Sequence, residues 1–442
     1  MVQEKDVFEL KPGDMCLVRQ SVSGTKTVPH RNALIIDVRR EQPPPQEGTT
    51  ADTTHHPNPH HHHHQPQQQS AQQSPVEYYV HYEGSDRRMD EWVDASRVRF
   101  ASFAQHKNTE REENRRKITR NQKRRYDEMV NGCGTSSSSS YGIAANIDAL
   151  TAALEKEHEE VTKVKHIERI RYGKYEIDTW YFSPYPDEYG KSRMLFICDY
   201  CMKYMKHERT YRTHLHECKR RKPPGEEIYR DKTLAVFEVN GRENKVYCQC
   251  LCLLAKLFLD HKTLYFDVEP FLFYILCELV DNGAHLVGFF SKERSSPDGN
   301  NLACICILPP FQQRGYGKFL IQLSYELSKR EGLIGSPEKP LSDLGILGYR
   351  SYWSWVVFDA LDRGNKVTIS DLSRTTGIHS DDIIDTLNAL GLTRNWCGQQ
   401  TMYITRKLVD FRKRNGLIKK PKLLLKPRLL RWHPPRHETP DI

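Results

Sequence analysis

Two groups of residues in this chain have the types and spacing that chemistry requires. The first is a glycine loop, Gln312-Gln313-Arg314-Gly315-Tyr316-Gly317-Lys318, which follows the strand-like run CICIL and opens directly into an amphipathic helix. Phe319, Leu320, Leu323 and Leu327 share one face of that helix. Two glycines let the backbone approach an anion closely, and the free N–H groups and positive dipole end of the helix face the same point. The pattern reads as a cradle for a pyrophosphate, although the same glycines would serve an ordinary tight turn. The second group is Cys198-x2-Cys201-x12-His214-x3-Cys218. Its first pair forms a knuckle, and His214 and Cys218 lie four apart on a predicted helix, facing the same side. Four such ligands close a tetrahedral shell around zinc and leave no position for water, so the site is expected to be structural. His216 falls on another face and His207 at or before the helix start, so both are excluded. Arg209, Arg212, Lys219, Arg220 and Arg221 surround the site and raise a rival reading, a DNA-reading finger. One finger reads only about three base pairs, so stiffening one edge of a catalytic domain is the better account.

The glycine loop resembles that of acetyl-CoA-dependent lysine acetyltransferases of the MYST group, whose pattern Gln/Arg-x-x-Gly-x-Gly/Ala is matched by Gln312, Gly315 and Gly317. GSPEKPLSDLG (335–345), YRSYWSW (349–355) and LDHKTLYFDVEPF (259–271) also look like that family. TAALEKEHEEVTKVK (151–165) and SSPDGNN (295–301) are most like its males-absent-on-the-first branch. The resemblance runs from about residue 145 to 435. It implies an α/β (α+β) fold: a GNAT-like acetyl-CoA acyltransferase core, a zinc-finger N-terminal lobe and a helix-turn-helix-like C-terminal lobe.

Acetyl transfer to lysine meets one main obstacle, because the amine arrives protonated. From a reference pKa near 10.4, freeing it at pH 7 costs about 4.6 kcal/mol. A general base beside the amine answers that need, and Glu338 matches the family's catalytic glutamate. Cys304 aligns with a family cysteine proposed as an acyl acceptor. A thiolate there could take the acetyl group, but a cysteine in an apolar strand is commonly an inert, buried hydrophobe. Direct attack on acetyl-CoA, with Cys304 lining the site, is therefore favoured; Cys306 shares the strand face and spacing cannot separate the two. Backbone N–H groups of Ile305, Cys306 and Ile307 are the expected partners of the thioester carbonyl. Gln313 departs from the family, where arginine is usual, and the missing charge should weaken one phosphate contact. Ser342 and Ser351 match positions that touch CoA, although Ser342 could equally cap a helix. Lys262 matches the lysine that relatives autoacetylate; on physical grounds it could be an ion-pair lysine beside Asp260 or Asp267.

Around these residues the chain divides into a small β module (8–100), a basic and serine-rich linker (101–163) and the acetyltransferase region (164–435). Within the last, the finger spans 195–220, the acetyl-CoA core 226–348 and the C-terminal lobe 349–435. Strand-like segments lie at 14–20, 33–40, 76–82 and 90–100, then at 167–171, 175–182, 233–239, 285–291 and 301–308. Helices are expected at 207–217, 246–260, 268–280, 317–331, 350–361, 370–376 and 380–391. The Pro/Gln/His-rich stretch 42–75 cannot bury apolar area and reads as a disordered insert; His60 to His64 are better explained by homopolymeric drift than by metal binding. YYVHYEGSDRRMDEWV resembles a chromo-barrel (tudor-knot) domain. Tyr78, Tyr79, Tyr82 and Trp92 could cage a methyl-lysine or stack on bases, yet alternate aromatics in strands are more often core. Cys16 and Val18 stand where relatives often show an aromatic, which argues against a complete cage.

The formal charge of +9 is concentrated: residues 106–126 hold nine Lys/Arg against three Glu, and 406–436 hold twelve against one Asp. Such blocks favour a polyanion, hence nucleic acid on chromatin, and RRKITRNQKRR (115–125) also suits nuclear import. No apolar run is long enough to span a bilayer, the N-terminus lacks a signal-peptide core, and twelve scattered cysteines read as reduced thiols plus one metal site. The segment 368–392 has a helix–turn–helix rhythm, but Ser380, Asp381, Asp382 and Asp385 at its second helix would repel phosphates. The expectation is a nuclear histone acetyltransferase using acetyl-CoA and structural Zn2+. The resemblance further implies action on lysine sixteen of the histone H4 tail, on nucleosomes, within male-specific-lethal or non-specific-lethal type complexes. A DNA-binding transcription factor or a catalytically silent chromatin reader would explain the basic tracts, but not the glycine loop together with Glu338.

Overall fold

The computed structural model describes residues 10–20, 29–40, 76–100, 162, 164–260, 262, 265–280, 283–363, 368–396, 399–402, 407, 411, 414 and 418–434. The expected insert at 42–75 and nearly all of the 101–163 linker, including the basic 106–126 block, lie outside the described residues. The chain forms two compact units, one of residues 1–111 with 159–164 and one of residues 112–158 with 165–442.

In the first unit β1 (Met15–Arg19), β2 (His30–Arg40), β3 (Val76–Tyr82), β4 (Glu91–Asp94) and β5 (Val98–Phe100) make an antiparallel sheet in the order β4-β3-β2-β1-β5. Alternation along β1 and β2 sends Cys16, Val18, Ala33 and Ile35 to a common buried face. Tyr78, Tyr79 and Tyr82 are buried as well, so these rings are core. Trp92 packs on Tyr79 with ring centroids 5.2 Å apart, and the Arg39 guanidinium lies 4.0 Å from the Trp92 centroid. The ring face that a methylated ammonium would need is thus taken by the chain's own arginine.

The second unit opens with β6 (Arg169–Tyr172), β7 (Tyr175–Asp178), α1 (Asp187–Gly190), β8 (Met194–Ile197), β9 (Tyr204–Met205) and α2 (Glu208–Glu217). Its main sheet comprises β10 (Glu226–Asp231), β11 (Leu234–Asn240), β12 (Phe271–Val280), β13 (Gly283–Glu293) and β15 (Cys304–Ile307), in the order β10-β11-β12-β13-β15. The helix α3 (Lys245–Lys256) links β11 to β12, and β14 (Asn300–Leu302) precedes β15. Beyond β15 come α4 (Tyr316–Glu331), β16 (Ser336–Pro337), α5 (Asp343–Arg363), α6 (Ile369–Thr376), α7 (Ser380–Ala389), β17 (Thr393–Trp396) and β18 (Gln399–Met402).

One expected helix is corrected. Residues 268–280 are not helical; β12 occupies Phe271–Val280 as the middle strand of the main sheet. Its sequence FLFYILCELV is apolar on both strand faces, and Phe273, Tyr274, Ile275, Leu276 and Cys277 are all buried. A run buried on both sides carries no alternation, which is why its pattern alone did not separate strand from helix.

The helix α4 stands between two cores. Phe319, Leu320, Leu323 and Leu327 enter the main cluster with β12 and β13, while Ile321 and Tyr325 join Tyr349, Trp353 and Phe358 of α5 and Ile383 and Leu387 of α7. Each fully buried side chain of this size contributes about 1.5–3 kcal/mol, so α4 is held from both sides. Gly332 closes it in the left-handed region at φ 71°. The start of α5 lies at Asp343 rather than near 350, because the Ser342 hydroxyl accepts the Gly345 N–H at 3.1 Å and caps it. No helix among the described residues is long and apolar enough to cross a membrane.

Candidate active site and metal centre

The metal cluster forms where a turn meets a helix end. Met202 takes φ 63°, its N–H donating to the Cys198 carbonyl at 2.9 Å, and this folds Cys198 and Cys201 into a knuckle. Opposite them, α2 ends at Glu217, and Cys218 is its C-cap rather than a helical residue. The Cys218 N–H still donates to the His214 carbonyl at 2.7 Å, which keeps the two side chains in register. Cys198 and Cys218 Sγ lie 3.9 Å apart, Cys201 Sγ and His214 Nε2 3.2 Å apart, and all four ligand atoms fall within 4.8 Å of one another. Tetrahedral zinc, with bonds of about 2.3 Å to sulfur and 2.0–2.1 Å to nitrogen, spaces its ligands about 3.5–3.8 Å apart. The donor set fits. His207 is the N-cap of α2 and His216 is exposed, so neither joins the cluster.

The glycine loop is built as its sequence suggests and is covered by a segment that its sequence did not announce. Gly315 is the N-cap of α4 at φ 104°, a conformation that strains any other residue. No side chain caps this end, and the first intrahelical bond runs from Phe319 N–H to Gly315 O at 3.1 Å. The N–H groups of Tyr316, Gly317 and Lys318 therefore lack helical partners, with no acidic residue in the first turn. Side chains around the loop have other duties. Gln312 Nε2 donates to Ile307 O at 2.9 Å, Arg314 lies 3.6 Å from Glu278, and the Tyr316 hydroxyl donates to the same Glu278. Lys318 Nζ donates to Ser351 Oγ at 2.6 Å, which places Ser351 at the loop, whereas the Ser342 hydroxyl is engaged in capping α5. Gln313 sits at φ 61°, and its carbonyl accepts from Lys422 Nζ at 2.9 Å.

Lys422 belongs to the basic C-terminal segment, read from sequence only as a polyanion-seeking block. Gln322 of α4 anchors that segment twice, donating to Leu423 O at 2.9 Å and accepting from Leu425 N–H at 3.1 Å. Burial first, then the charges of Lys419 and Lys422, lowers the pKa of Lys318. Positive charge is thus added at the loop that carries the uncapped N–H groups, through Lys422 on Gln313 and Lys419 near Lys318, and sequence reasoning missed both lysines. The available signal was the leucines interleaved with the lysines in KKPKLLLKPRLL, which suit a segment packed on a core.

On the other side of β15 lies the candidate chemistry. Because Leu308 N–H donates to Val287 O at 3.1 Å, the alternation along this antiparallel pair turns the N–H groups of Ile305 and Ile307 away from β13, toward the sheet's outer edge. Cys306 points its N–H inward and its thiol into the core, where burial raises the thiol pKa. Cys304 is half-buried, and its Sγ lies 3.7 Å from Lys262 Nζ. That contact and a hydrogen bond with Cys252, rather than Asp260 or Asp267, hold Lys262. Burial disfavours the Lys262 ammonium and the neighbouring Cys252 and Cys304 sulfurs favour it, the balance raising its pKa. Glu338 arrives from a different part of the chain. β16 pairs in parallel with β14, and Glu338 N–H donates to Leu302 O at 2.8 Å, two residues before Cys304. The structure therefore ties the Glu338 backbone to Leu302, two residues before Cys304, and sets Lys262 against Cys304, while Gln312 to Lys318 follow beyond the far end of β15.

Three stretches of the chain match known families: residues 222–430 the MOZ/SAS family, 164–218 the MYST family zinc finger domain, and 11–100 the RNA binding activity-knot of a chromodomain. The chain is 49% identical over 337 residues to the putative MYST-like histone acetyltransferase 1 of Oryza sativa subsp. japonica, covering 76% of this chain and 72% of that protein. The chain belongs to the MYST family. It is similarly 49% identical over 339 residues to histone acetyltransferase of the MYST family 1 of Arabidopsis thaliana, across 76% of this chain and 73% of that one. With histone acetyltransferase MOF of Drosophila melanogaster it shares 45% identity over 416 residues, 82% of this chain; the chain spans about half of that relative, 49%. As a MYST protein it is an acetyltransferase whose cosubstrate is acetyl-CoA, and the Cys198, Cys201, His214 and Cys218 cluster is its zinc site.

Proposed function

We propose that this MYST protein transfers the acetyl group of acetyl-CoA to a lysine of a histone tail, with Glu338 as general base. The observation that carries the reading is the bond from Glu338 N–H to Leu302 O, which holds a carboxylate-bearing residue beside the free edge of β15. Acetyl-CoA supplies an activated thioester. The N–H groups of Tyr316, Gly317 and Lys318 hold its pyrophosphate, supported by Lys318, Lys419 and Lys422. Outward N–H groups of Ile305 and Ile307 accept the negative charge that develops on the carbonyl oxygen. Glu338 takes a proton from the incoming lysine, the nitrogen lone pair forms the amide bond, and the C–S bond breaks to leave the CoA thiolate, which regains a proton. Cys304 lines the site in this scheme, and Lys262 beside it is a candidate for self-acetylation.

The likeness to the Drosophila protein favours histone H4 lysine sixteen as the target, nuclear chromatin as the place of action, and male-specific-lethal or non-specific-lethal type complexes as the setting. Incubating the full chain with acetyl-CoA and nucleosomes, followed by mass spectrometry of the tails, tests the reading. Acetylation concentrated on that lysine supports it. Acetylation spread over other lysines removes the site assignment, and an absence of acetylated histone removes the substrate class.

A further inference from the structure

The helix–turn–helix lobe has a task that its sequence does not suggest. The loop 335–339, which carries Glu338, is tied at every residue but is not part of any sheet larger than two strands. Gly335 N–H donates to Gly377 O at 2.9 Å, and Gly335 O accepts from His379 N–H at 3.1 Å, so the loop's start is pinned to the turn between α6 and α7. A Cβ on Gly335 would sit 2.6 Å from the Asn301 side chain, which leaves no room between loop and β14. Ser336 and Pro337 pair with Asn300 and Leu302, and Glu338 N–H bonds to Leu302 O. At the loop's end Lys339 Nζ donates to Asp382 Oδ1 at 3.1 Å.

Asp382 is unusual among the acids of α7. Its side chain is only 2% exposed, whereas that of Lys339 is 58% exposed. It stands in the first turn of α7, where the helix dipole favours a carboxylate. Its other oxygen, Oδ2, is buried without a hydrogen-bond partner among the described residues. Burial first, then the Asp382 charge, raises the pKa of the Tyr349 hydroxyl. Asp382 is thus a buried anchor, and the cation it holds is the neighbour of Glu338 in the chain.

We propose that Asp382 is a positioning residue for the acetyl transfer: through Lys339 it fixes the loop that aims the Glu338 carboxylate at the outer edge of β15. The lobe that a DNA reader would use for base contacts serves here to hold the base. This rests on Glu338 being the base, and the test separates the two ideas. Turnover of a histone-tail peptide by the full chain is measured for Asp382→Asn, Lys339→Met, Glu338→Gln and the double variants, with acetyl-CoA affinity and melting temperature followed in parallel.

The expected result is a fall in kcat of about tenfold for Asp382→Asn and for Lys339→Met, with acetyl-CoA affinity and peptide KM within about twofold of wild type. The two changes together cost no more than either alone, because they remove one link. Adding Asp382→Asn to Glu338→Gln lowers the residual rate no further, since the group being aimed is already gone. Lys339 is largely exposed, so its variant folds even where Asp382→Asn proves unstable, and it alone suffices for the test. Full activity in Lys339→Met overturns the proposal, as does a loss that multiplies undiminished onto Glu338→Gln. Full activity in Glu338→Gln itself would instead remove the base assignment.

Discussion

Gly317 is the position at which stability and ligand binding should move in opposite directions. It occupies the second residue of α4, and a Cβ placed there meets only Ile307 Cγ1 at 3.8 Å, an ordinary contact. The protein itself has no need of a glycine here. Gly317→Asp replaces a flexible residue in a helix, which gains only about a few tenths of a kcal/mol because Asp is itself a poor helix former, and sets a carboxylate at a helix N-terminus, which gains about 0.3–1 kcal/mol. The melting temperature should hold or rise by a few degrees. Binding responds in the other sense. Two like charges about 4 Å apart repel by about 1 kcal/mol in bulk water and about 4 kcal/mol at the effective dielectric of a protein surface. A pyrophosphate held by the Tyr316, Gly317 and Lys318 N–H groups should therefore lose at least about tenfold in affinity, or about 1.4 kcal/mol. Calorimetric titration of acetyl-CoA alongside thermal melting reads both quantities. An unchanged Kd would show that the pyrophosphate lies elsewhere, and a large drop in melting temperature would show that the local packing has been misjudged.

Four further outcomes follow from the geometry. Cys201→Ser should release zinc, measured by metal analysis, and lower the soluble yield of the chain, because structural zinc contributes folding free energy directly; a stable, fully active, zinc-free variant would refute the closed site. Lys422→Ala should weaken acetyl-CoA binding about three- to fivefold at low salt and less at high salt, since this lysine is exposed and screened. Lys318, whose pKa is lowered, should lose its share of that attraction at a lower pH than an ordinary lysine as pH rises, and an affinity flat across pH 7 to about 10 would contradict this. Finally, a trimethyl-lysine peptide should bind the full chain no more tightly than its unmethylated form, because Arg39 covers Trp92; a tenfold preference, by fluorescence titration, would show that the arginine yields to ligand.

Local patterns carried much of this fold, and they failed where burial was two-sided or contacts were distant. The apolar stripe Phe319, Leu320, Leu323 and Leu327 of α4 and the alternation along β1 and β2 are local repeats, so periodicity exposes them. Burial on both faces hid β12, and charge hid β10, whose sequence EEIYRD has few apolar residues. The metal site was legible because all four ligands lie within 21 residues, 198 to 218, on one turn and one helix end. Other features needed the whole chain. Lys422 reaches Gln313 across 109 positions, and Asp382 reaches Lys339 across 43. No spacing rule connects such pairs, because the contact is set by how α4, α5 and α7 pack rather than by any local repeat.

The central claim is that Glu338 frees the lysine amine. Its most direct test is the pH–rate profile of Glu338→Gln against wild type, with saturating acetyl-CoA and a histone H4 tail peptide. The substitution keeps the shape and the backbone bond to Leu302 while removing the base. Turnover at pH 7 should drop by about 10²-fold or more, with acetyl-CoA affinity unchanged. The variant's rate should then climb toward wild type between about pH 7 and 10, as the free amine fraction of lysine grows about tenfold per pH unit. A rate that stays low and flat with pH would contradict the account and assign Glu338 a structural part. So would an acetyl-thioester trapped on Cys304 that goes on to acetylate the peptide.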